Sequence, residues 1–318
     1  MSEVLMEVKH LKKYFNTPKG MLHAVDDVTF SIGKGKTMGV VGESGCGKST
    51  LGRTLIHLYE STDGQILFDR EDITHVTKHK MHELRERMQI IFQDPFSSLN
   101  PRMTVEETIR EPLELCRRFK KNQIQEEAEK IMEMVGIDDR LRYAYPHELD
   151  GGRRQRVGIG RALALNPAFV VCDEPVSALD VSIQAQVLNL LQDLQEKSGV
   201  TYMFVTHDLS VVKHISDNIC VMYLGQLVET TTSKELFANP LHPYTRALLS
   251  AIPSVDIHRK KERVILQGEI VSPVEPKPGC RFAARCPYAT DRCREPQQLR
   301  EIAKDHFVSC GRAEEVWE

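Results

Sequence analysis

The stretch from Gly42 to Thr50, GESGCGKST, constrains this chain more than any other. An apolar run from Met38 to Val41 precedes it and reads as a buried strand, and Leu51 to Leu58 follows and reads as the opening of a helix. Strand, glycine-rich turn and helix in that order are the setting in which G-x-x-x-x-G-K-[ST] cradles a polyphosphate. Gly42, Gly45 and Gly47 let the backbone turn its N–H groups inward with no Cβ in the way, at a helix N-terminus whose dipole favours an anion. Glu43, Ser44, Cys46 and Thr50 complete the loop. Lys48 is expected to reach the β- and γ-phosphates, and the Ser49 hydroxyl to ligate Mg²⁺.

Composition sets the outer bounds. With 318 residues the chain is long enough for one large domain plus an extension. Charged residues at 27% and hydrophobic ones at 41% put it in the soluble globular class. The formal net charge of −3 gives no electrostatic reason to expect nucleic acid as a partner. No apolar run approaches the ~18 residues needed to span a bilayer. The first residues, MSEVLMEVKHLKKYF, lack the continuous apolar stretch of a secretory signal. The expectation is a cytoplasmic protein whose membrane role, if any, comes through partners.

Along the chain, residues 4 to 8 and 24 to 32 show partial apolar and polar alternation and read as strands of a sheet with one wet face. Tyr14 and Phe15 lie between them. An aromatic shortly before a phosphate loop stacks on an adenine ring or packs in the core, and composition alone does not choose. Residues 64 to 68 and 88 to 92 read as further strands, the second leading into Gln93. From Asp94 to about Leu163 the chain reads as a helical insert, with Ile124, Ala128, Ile131, Met132 and Val135 in one stripe. Residues 168 to 174 give an apolar strand that ends in Asp173 and Glu174, the pattern of a central parallel strand buried on both faces. Carboxylates at that end sit where doubly wound sheets bind ligands. Asp173 is expected to hold Mg²⁺, and Glu174 to orient and deprotonate a water attacking the γ-phosphate. Residues 201 to 205 form a second such strand, with His207 at the same edge.

Taken together, the loop at 42 to 50, Gln93, Leu149-Asp150-Gly151-Gly152-Arg153, Asp173-Glu174, Ser177-Ala178-Leu179-Asp180 and His207 resemble, in order and spacing, the nucleotide-binding subunit of an ABC transporter over about the first 230 residues. The resemblance implies an α/β P-loop NTPase fold in residues 1–232: a RecA-like parallel-sheet core, an N-terminal antiparallel β subdomain and a helical signature subdomain at about 94–163. It implies ATP and Mg²⁺ as cofactors, with the metal on Ser49, Gln93 and Asp173, adenine stacking on Tyr14, and catalysis by Lys48, Glu174 and His207. Gln93 opens the loop that faces the membrane subunits. Ser177, Ala178, Leu179 and Asp180 cross the dimer interface. Two ATPases pack head to tail, each ATP lying between one phosphate loop and the other chain's signature, and closure drives two integral membrane permease subunits from the cytoplasmic face.

The signature departs from the family's Leu-Ser-Gly-Gly-Gln. Asp150 stands where the serine belongs and Arg153 where the glutamine belongs. A serine donates to the γ-phosphate, whereas an ionised aspartate only accepts and carries like charge. Arg153 would offset that repulsion. The expectation is a heterodimer with a paralogous ATPase and two unequal sites, the alternative being that the variant loop serves well in both.

Eight cysteines divide into two groups. Cys46, Cys116, Cys172 and Cys220 are scattered and read as small buried hydrophobes. Cys280, Cys286, Cys293 and Cys310 crowd the last 40 residues, with five, six and sixteen residues between successive members. That is not the paired spacing of a zinc ribbon. Residues 239 to 249, NPLHPYTRALL, and Gly279 to Phe282 resemble the tail of oligopeptide and dipeptide importer ATPases, so 233–318 is read as a small Cys-rich extension, with 273 to 278 an irregular connector. On that resemblance the four cysteines carry a structural 4Fe-4S cluster, with Zn²⁺ as the alternative. Cargo would be chosen by a separate extracytoplasmic binding protein. Peptides are favoured, while nickel and short oligosaccharides stay open. A soluble ABC protein of DNA repair or translation would need a coiled-coil insert or a second cassette, and this chain has about 100 residues between loop and signature. A P-loop kinase or GTPase needs none of the signature, the 177 to 180 loop and His207 together.

Overall fold

A computed structural model describes residues 3–252, 264–266, 268 and 272–315. Strand β1 (Val4–Thr17) and strand β2 (Gly20–Gly33) form an antiparallel hairpin. The chain then leaves it through β3 (Thr37–Val41), and β4 (Asp63–Phe68) returns to the free side of β1 with the two-residue β5 (Glu71–Asp72) beyond it. Both hairpin strands are longer than expected, and Tyr14 and Phe15 lie inside β1. Left-handed residues His10 (φ 48°) and Asp27 (φ 58°) sit near shifts of register. Such bulges break the period-two pattern by which a strand is recognised, so the sequence hides its continuation.

The second sheet runs in the order β11-β12-β10-β9-β3-β8-β7-β6, the further strands being β6 (Met88–Ile91), β7 (Phe169–Asp173), β8 (Thr201–Thr206), β9 (Asn218–Tyr223), β10 (Gln226–Thr232), β11 (Arg300–Ala303) and β12 (His306–Val308). Five strands, from β9 to β6, are parallel. Every residue of β3, β7 and β8 is buried, because helices cover one face and the first sheet, with the helix that follows β3, covers the other. The expected parallel core is thus correct for these five. It is corrected at one edge, where β10, β12 and β11 add antiparallel and make the sheet mixed.

Helix α1 (Lys48–Leu55) follows β3, and α2 (Lys78–Arg87) precedes β6. The insert holds α3 (Pro95–Ser98), α4 (Val105–Leu115), α5 (Lys121–Met134) and α6 (Gly151–Leu163). A capping box between Thr104 and Glu107 opens α4. The stripe Ile124, Ala128, Ile131 and Met132 is the buried face of α5, and Val135 follows it into the same core. Helices α7 (Val181–Ser198) and α8 (Leu209–Ile215) flank β8, and α9 (Ser233–Ala238) and α10 (Pro243–Ser250) follow β10.

The residues beyond 232 are tied back to the sheet. Glu229 in β10 is fully buried, and its carboxylate accepts the amides of Leu241 (2.7 Å) and His242 (2.9 Å) and meets His306 Nε2 at 2.7 Å. A buried carboxylate persists only with such partners. The connector around 273 is irregular, as expected, and is fastened by the His23 amide donating to the Pro273 carbonyl (2.9 Å) and a bridge from Val274 to Leu22. Cys46, Cys116, Cys172 and Cys220 are all buried.

Candidate nucleotide site

The loop after β3 is held open by close packing around its glycines. At Gly47, with φ of 106°, a Cβ would lie 2.0 Å from the Ala24 carbonyl oxygen, and at Gly42 it would lie 2.1 Å from that of Met222. Neither position accepts a side chain. Lys48 opens α1 and is only 4% exposed, its ammonium donating to the carbonyls of Gly42 (2.8 Å) and Glu43 (2.9 Å). Buried charge is thereby satisfied inside the loop itself. Cys46 packs below, its thiol pushed up by burial, and its carbonyl accepts the Gly225 amide at 2.8 Å. Ser44 and Gly45 are exposed at the tip, and Ser49 and Thr50 are half-buried on α1.

At the end of β7 the fully buried Asp173 accepts the Ser49 hydroxyl at 2.6 Å and Arg53 Nη2 at 3.1 Å. Arg53 was not among the expected site residues. It lies one helical turn after Ser49, which is the one sequence signal that would have found it. Glu174 follows in a left-handed conformation (φ 48°), its amide donating to the Val205 carbonyl at 2.9 Å. Such a backbone is costly for a non-glycine residue and aims the side chain sideways across the strand ends. There Glu174 Oε2 accepts the Gln93 amide at 2.9 Å and lies 3.3 Å from His207 Nδ1. Gln93 and His207, from the ends of β6 and β8, therefore converge on the carboxylate that follows β7 between them.

The signature residues form a second group. Asp150 caps α6, its Oδ1 accepting the Arg153 amide at 2.8 Å, and Arg153 Nε lies 3.4 Å from its Oδ2. This carboxylate therefore caps the helix N-terminus with its charge partly matched. A Cβ on Gly151 would stand 3.3 Å from Leu179, and one on Gly152 would stand 2.7 Å from Ile183. The loop of Ser177, Ala178, Leu179 and Asp180 thus packs on the start of α6, and Asp180 caps α7 by accepting the Ile183 amide at 3.0 Å. Among the described residues no hydrogen bond or ion pair links 150–153 to the phosphate loop of the same chain.

Tyr14 is half-buried, with one ring face stacked on His23 at 3.9 Å and its hydroxyl donating to Asp26. The ring is thus held within the hairpin without being fully buried in the core. Cys280, Cys286, Cys293 and Cys310 are partly buried and share one neighbourhood: burial first, and then the other three thiols, push the Cys280 thiol up to about 11. Four thiols suit a cluster as donors, yet among the described residues no group of three or more Cys, His, Asp or Glu side chains closes into a metal site. The expected iron–sulfur centre is not supported by this geometry. Burial favours the neutral thiols of Cys280, Cys286 and Cys310.

Residues 25–177 match the ABC transporter family, and residues 228–293 match the C-terminal region of oligopeptide/dipeptide transporters. The oligopeptide transport ATP-binding protein AppF of Bacillus subtilis is 49% identical over 319 aligned residues covering 97% of both chains. Among solved structures, cbiO1 of Clostridium perfringens, part of the ABC transporter complex cbiONQ, superimposes with a TM-score of 0.67 and 28% identity over 75% of this chain and 92% of its own. A dimeric ATP-binding cassette bound to ADP and Pi in a post-hydrolysis state gives a TM-score of 0.66 and 27% identity over 72% and 99%. The fold and the site define a P-loop ATPase. Within that class the chain belongs to the ABC transporter family, as one of its ATP-binding proteins.

Proposed function

We propose that this chain hydrolyses ATP to power the import of di- and oligopeptides through a membrane ABC transporter. The observation that carries the ATPase chemistry is the convergence of Gln93 and His207 on Glu174 beside the Ser49–Asp173 pair. Lys48 exchanges the carbonyls of Gly42 and Glu43 for the β- and γ-phosphate oxygens. Backbone amides of the loop from Gly42 to Thr50 surround the phosphates, and Tyr14 stacks adenine on the ring face turned away from His23. Hydroxyl, amide and carboxylate oxygens from Ser49, Gln93 and Asp173 are hard donors of the kind that would hold Mg²⁺, which when bound would neutralise charge on the phosphates. Glu174 orients the attacking water and takes its proton, and His207 contacts the γ-phosphate.

Peptide cargo rests on what AppF is named for and on the match of residues 228–293. Nickel or an oligosaccharide is the alternative cargo. We read 1–232 as the nucleotide-binding domain and 233–318 as the importer-type extension. The working assembly is a head-to-tail pair with a paralogous ATPase on two integral membrane permeases, fed by an extracytoplasmic binding protein. Among the described residues no helix is long and apolar enough to cross a membrane, which fits a peripheral subunit at the cytoplasmic face. Asp150, Gly151, Gly152 and Arg153 would meet the partner's ATP. The site that joins this chain's Lys48 and Glu174 to the partner's signature would be the faster one. Cys280, Cys286, Cys293 and Cys310 are kept as candidate ligands of a 4Fe-4S cluster, or of Zn²⁺, on the chemistry of the donor set alone. About four iron and four sulfide per chain would support the first, and stoichiometric zinc would exclude it. The function is tested by co-purifying the chain with its permeases and measuring ATP-driven peptide uptake in vesicles. Uptake should vanish with Lys48→Ala, and persistence of uptake would refute the assignment.

A further inference from the structure

We propose that Arg285 is a positioning residue of the nucleotide site, acting on the phosphate loop through Glu43. The two residues are 242 positions apart, yet Arg285 Nη1 lies 2.7 Å from Glu43 Oε2 and Nη2 lies 3.1 Å from Oε1. This is a two-pronged guanidinium–carboxylate pair, the strongest and most directional kind. The Arg285 side chain is 8% exposed and that of Glu43 is 24% exposed, so the pair is largely withdrawn from water. The backbone of Glu43 is held from the same direction, its amide donating to the Tyr244 hydroxyl at 2.9 Å. Tyr223, Tyr244 and Phe282, with ring centroids 4.7 to 5.4 Å apart, wall this contact off. Both grips on Glu43 come from residues beyond 232.

The physical need is plain. Glu43 places a carboxylate in a loop built to receive a polyanion, one residue from Gly42, and its carbonyl is one of the two that hold the Lys48 ammonium. Left unpaired, that carboxylate would repel the phosphates, and the loop would lose the restraint that fixes its Lys48 acceptor. Arg285 cancels the charge and fixes the geometry. The segment that carries Cys280 and Cys286 is thereby a working part of the ATP site, with Arg281 beside it bound to Asp26 and to the Leu224 carbonyl.

This inference rests on the reading of Gly42 to Thr50 as the ATP loop, and the experiment separates the two. Mg-ATP is titrated into the full-length chain by calorimetry, in wild type, Arg285→Ala, Arg285→Lys and the double variant Glu43→Gln, Arg285→Ala. Arg285→Ala should weaken Mg-ATP about tenfold, the size of a lost charged hydrogen bond. The double variant should bind within about threefold of wild type, because the stranded charge is gone and the Tyr244 hydroxyl still holds the Glu43 amide, and Arg285→Lys should fall between, keeping the charge without the fork. In the assembled transporter the same change should raise the KM for ATP and leave kcat within about twofold. A merely structural anchor would give a lower melting temperature with no rescue by Glu43→Gln, and that result overturns the proposal. So does Mg-ATP affinity in Arg285→Ala within about twofold of wild type. Should Arg285→Ala not fold, Arg285→Lys decides on the same criterion. A wild-type chain that fails to bind Mg-ATP would instead refute the reading of the loop itself.

Discussion

Gln93 donates its side-chain amide to Glu174 at 2.9 Å, from the strand next to the one that Glu174 terminates. The acceptor oxygen is the one that His207 approaches at 3.3 Å, so one carboxylate is oriented from both flanks. In the base role proposed above, Glu174 would act from this doubly oriented position. Glu174→Gln keeps the size and one acceptor oxygen but loses basicity, and it should lower ATP turnover of the assembled transporter ~10²- to 10⁴-fold. Mg-ATP binding should persist. Phosphate release measured beside calorimetry separates the two, and turnover near the wild-type rate would remove Glu174 from the role of base.

Asp173 predicts a metal dependence. Its carboxylate is fully buried, with Ser49 on one oxygen and Arg53 on the other. Asp173→Asn retains the shape and halves the acceptor capacity, and Ser49→Ala removes the hydroxyl that shares the site. Both should raise the Mg²⁺ concentration needed for half-maximal ATP binding by about tenfold or more. Binding of ATP in EDTA should barely change. An equal loss with and without Mg²⁺ would show these residues to be structural.

The parts of the site legible in the sequence are those coded by neighbours in the chain. The loop from Gly42 to Thr50 and the apolar run ending in Asp173 and Glu174 each carry their chemistry within ten residues, and the α5 stripe follows from helical period alone. What escaped reading is what distant segments make together. Glu43 with Arg285, and Glu229 with His306, are single charges in sequence that become partners only when the extension folds back on the sheet. Strand β11 alternates half-buried and exposed residues over four positions, too short and too wet to be told from a loop. Tyr14 was visible as an aromatic near the loop, but its stack on His23 depends on a bulged hairpin register that no local pattern records. The four C-terminal cysteines were visible as a set, and their spacing says nothing of how their sulfurs are aimed.

Asp150 gives a prediction about both stability and mechanism. As the cap of α6 it accepts the Arg153 amide at 2.8 Å, so Asp150→Ala should cost about 1 kcal/mol in a urea unfolding measurement. Asp150→Ser keeps a capping oxygen and should cost a few tenths at most. Serine also replaces a negative acceptor by a neutral donor, so on the proposed head-to-tail pairing turnover at the partner's ATP should rise in the assembled transporter. Equal turnover in wild type and Asp150→Ser would mean that the Asp150–Arg153 pairing already serves the second site.

His242 makes the region beyond residue 232 sensitive to acid. It is buried, its Nδ1 accepts the Tyr244 amide at 3.1 Å, and its ring faces Phe282 at 5.7 Å, so only the neutral form fits. Burial lowers its pKa to about 4, against the opposing pull of Glu229. In the unfolded chain a histidine titrates near 6.5. Between those values the unfolded state holds a proton that the folded state refuses. The stabilisation is complete above about pH 6.5 and declines as pH falls toward about 4, with a slope of at most ~1.4 kcal/mol per pH unit. His242→Asn supplies an amide oxygen for the same cap and has nothing to titrate. Urea midpoints followed from pH 7 to pH 5 should therefore fall more steeply for the wild type than for His242→Asn, the gap widening by ~1 to 2 kcal/mol over that range. Parallel curves for the two proteins would show that the acid sensitivity of this region comes from another group.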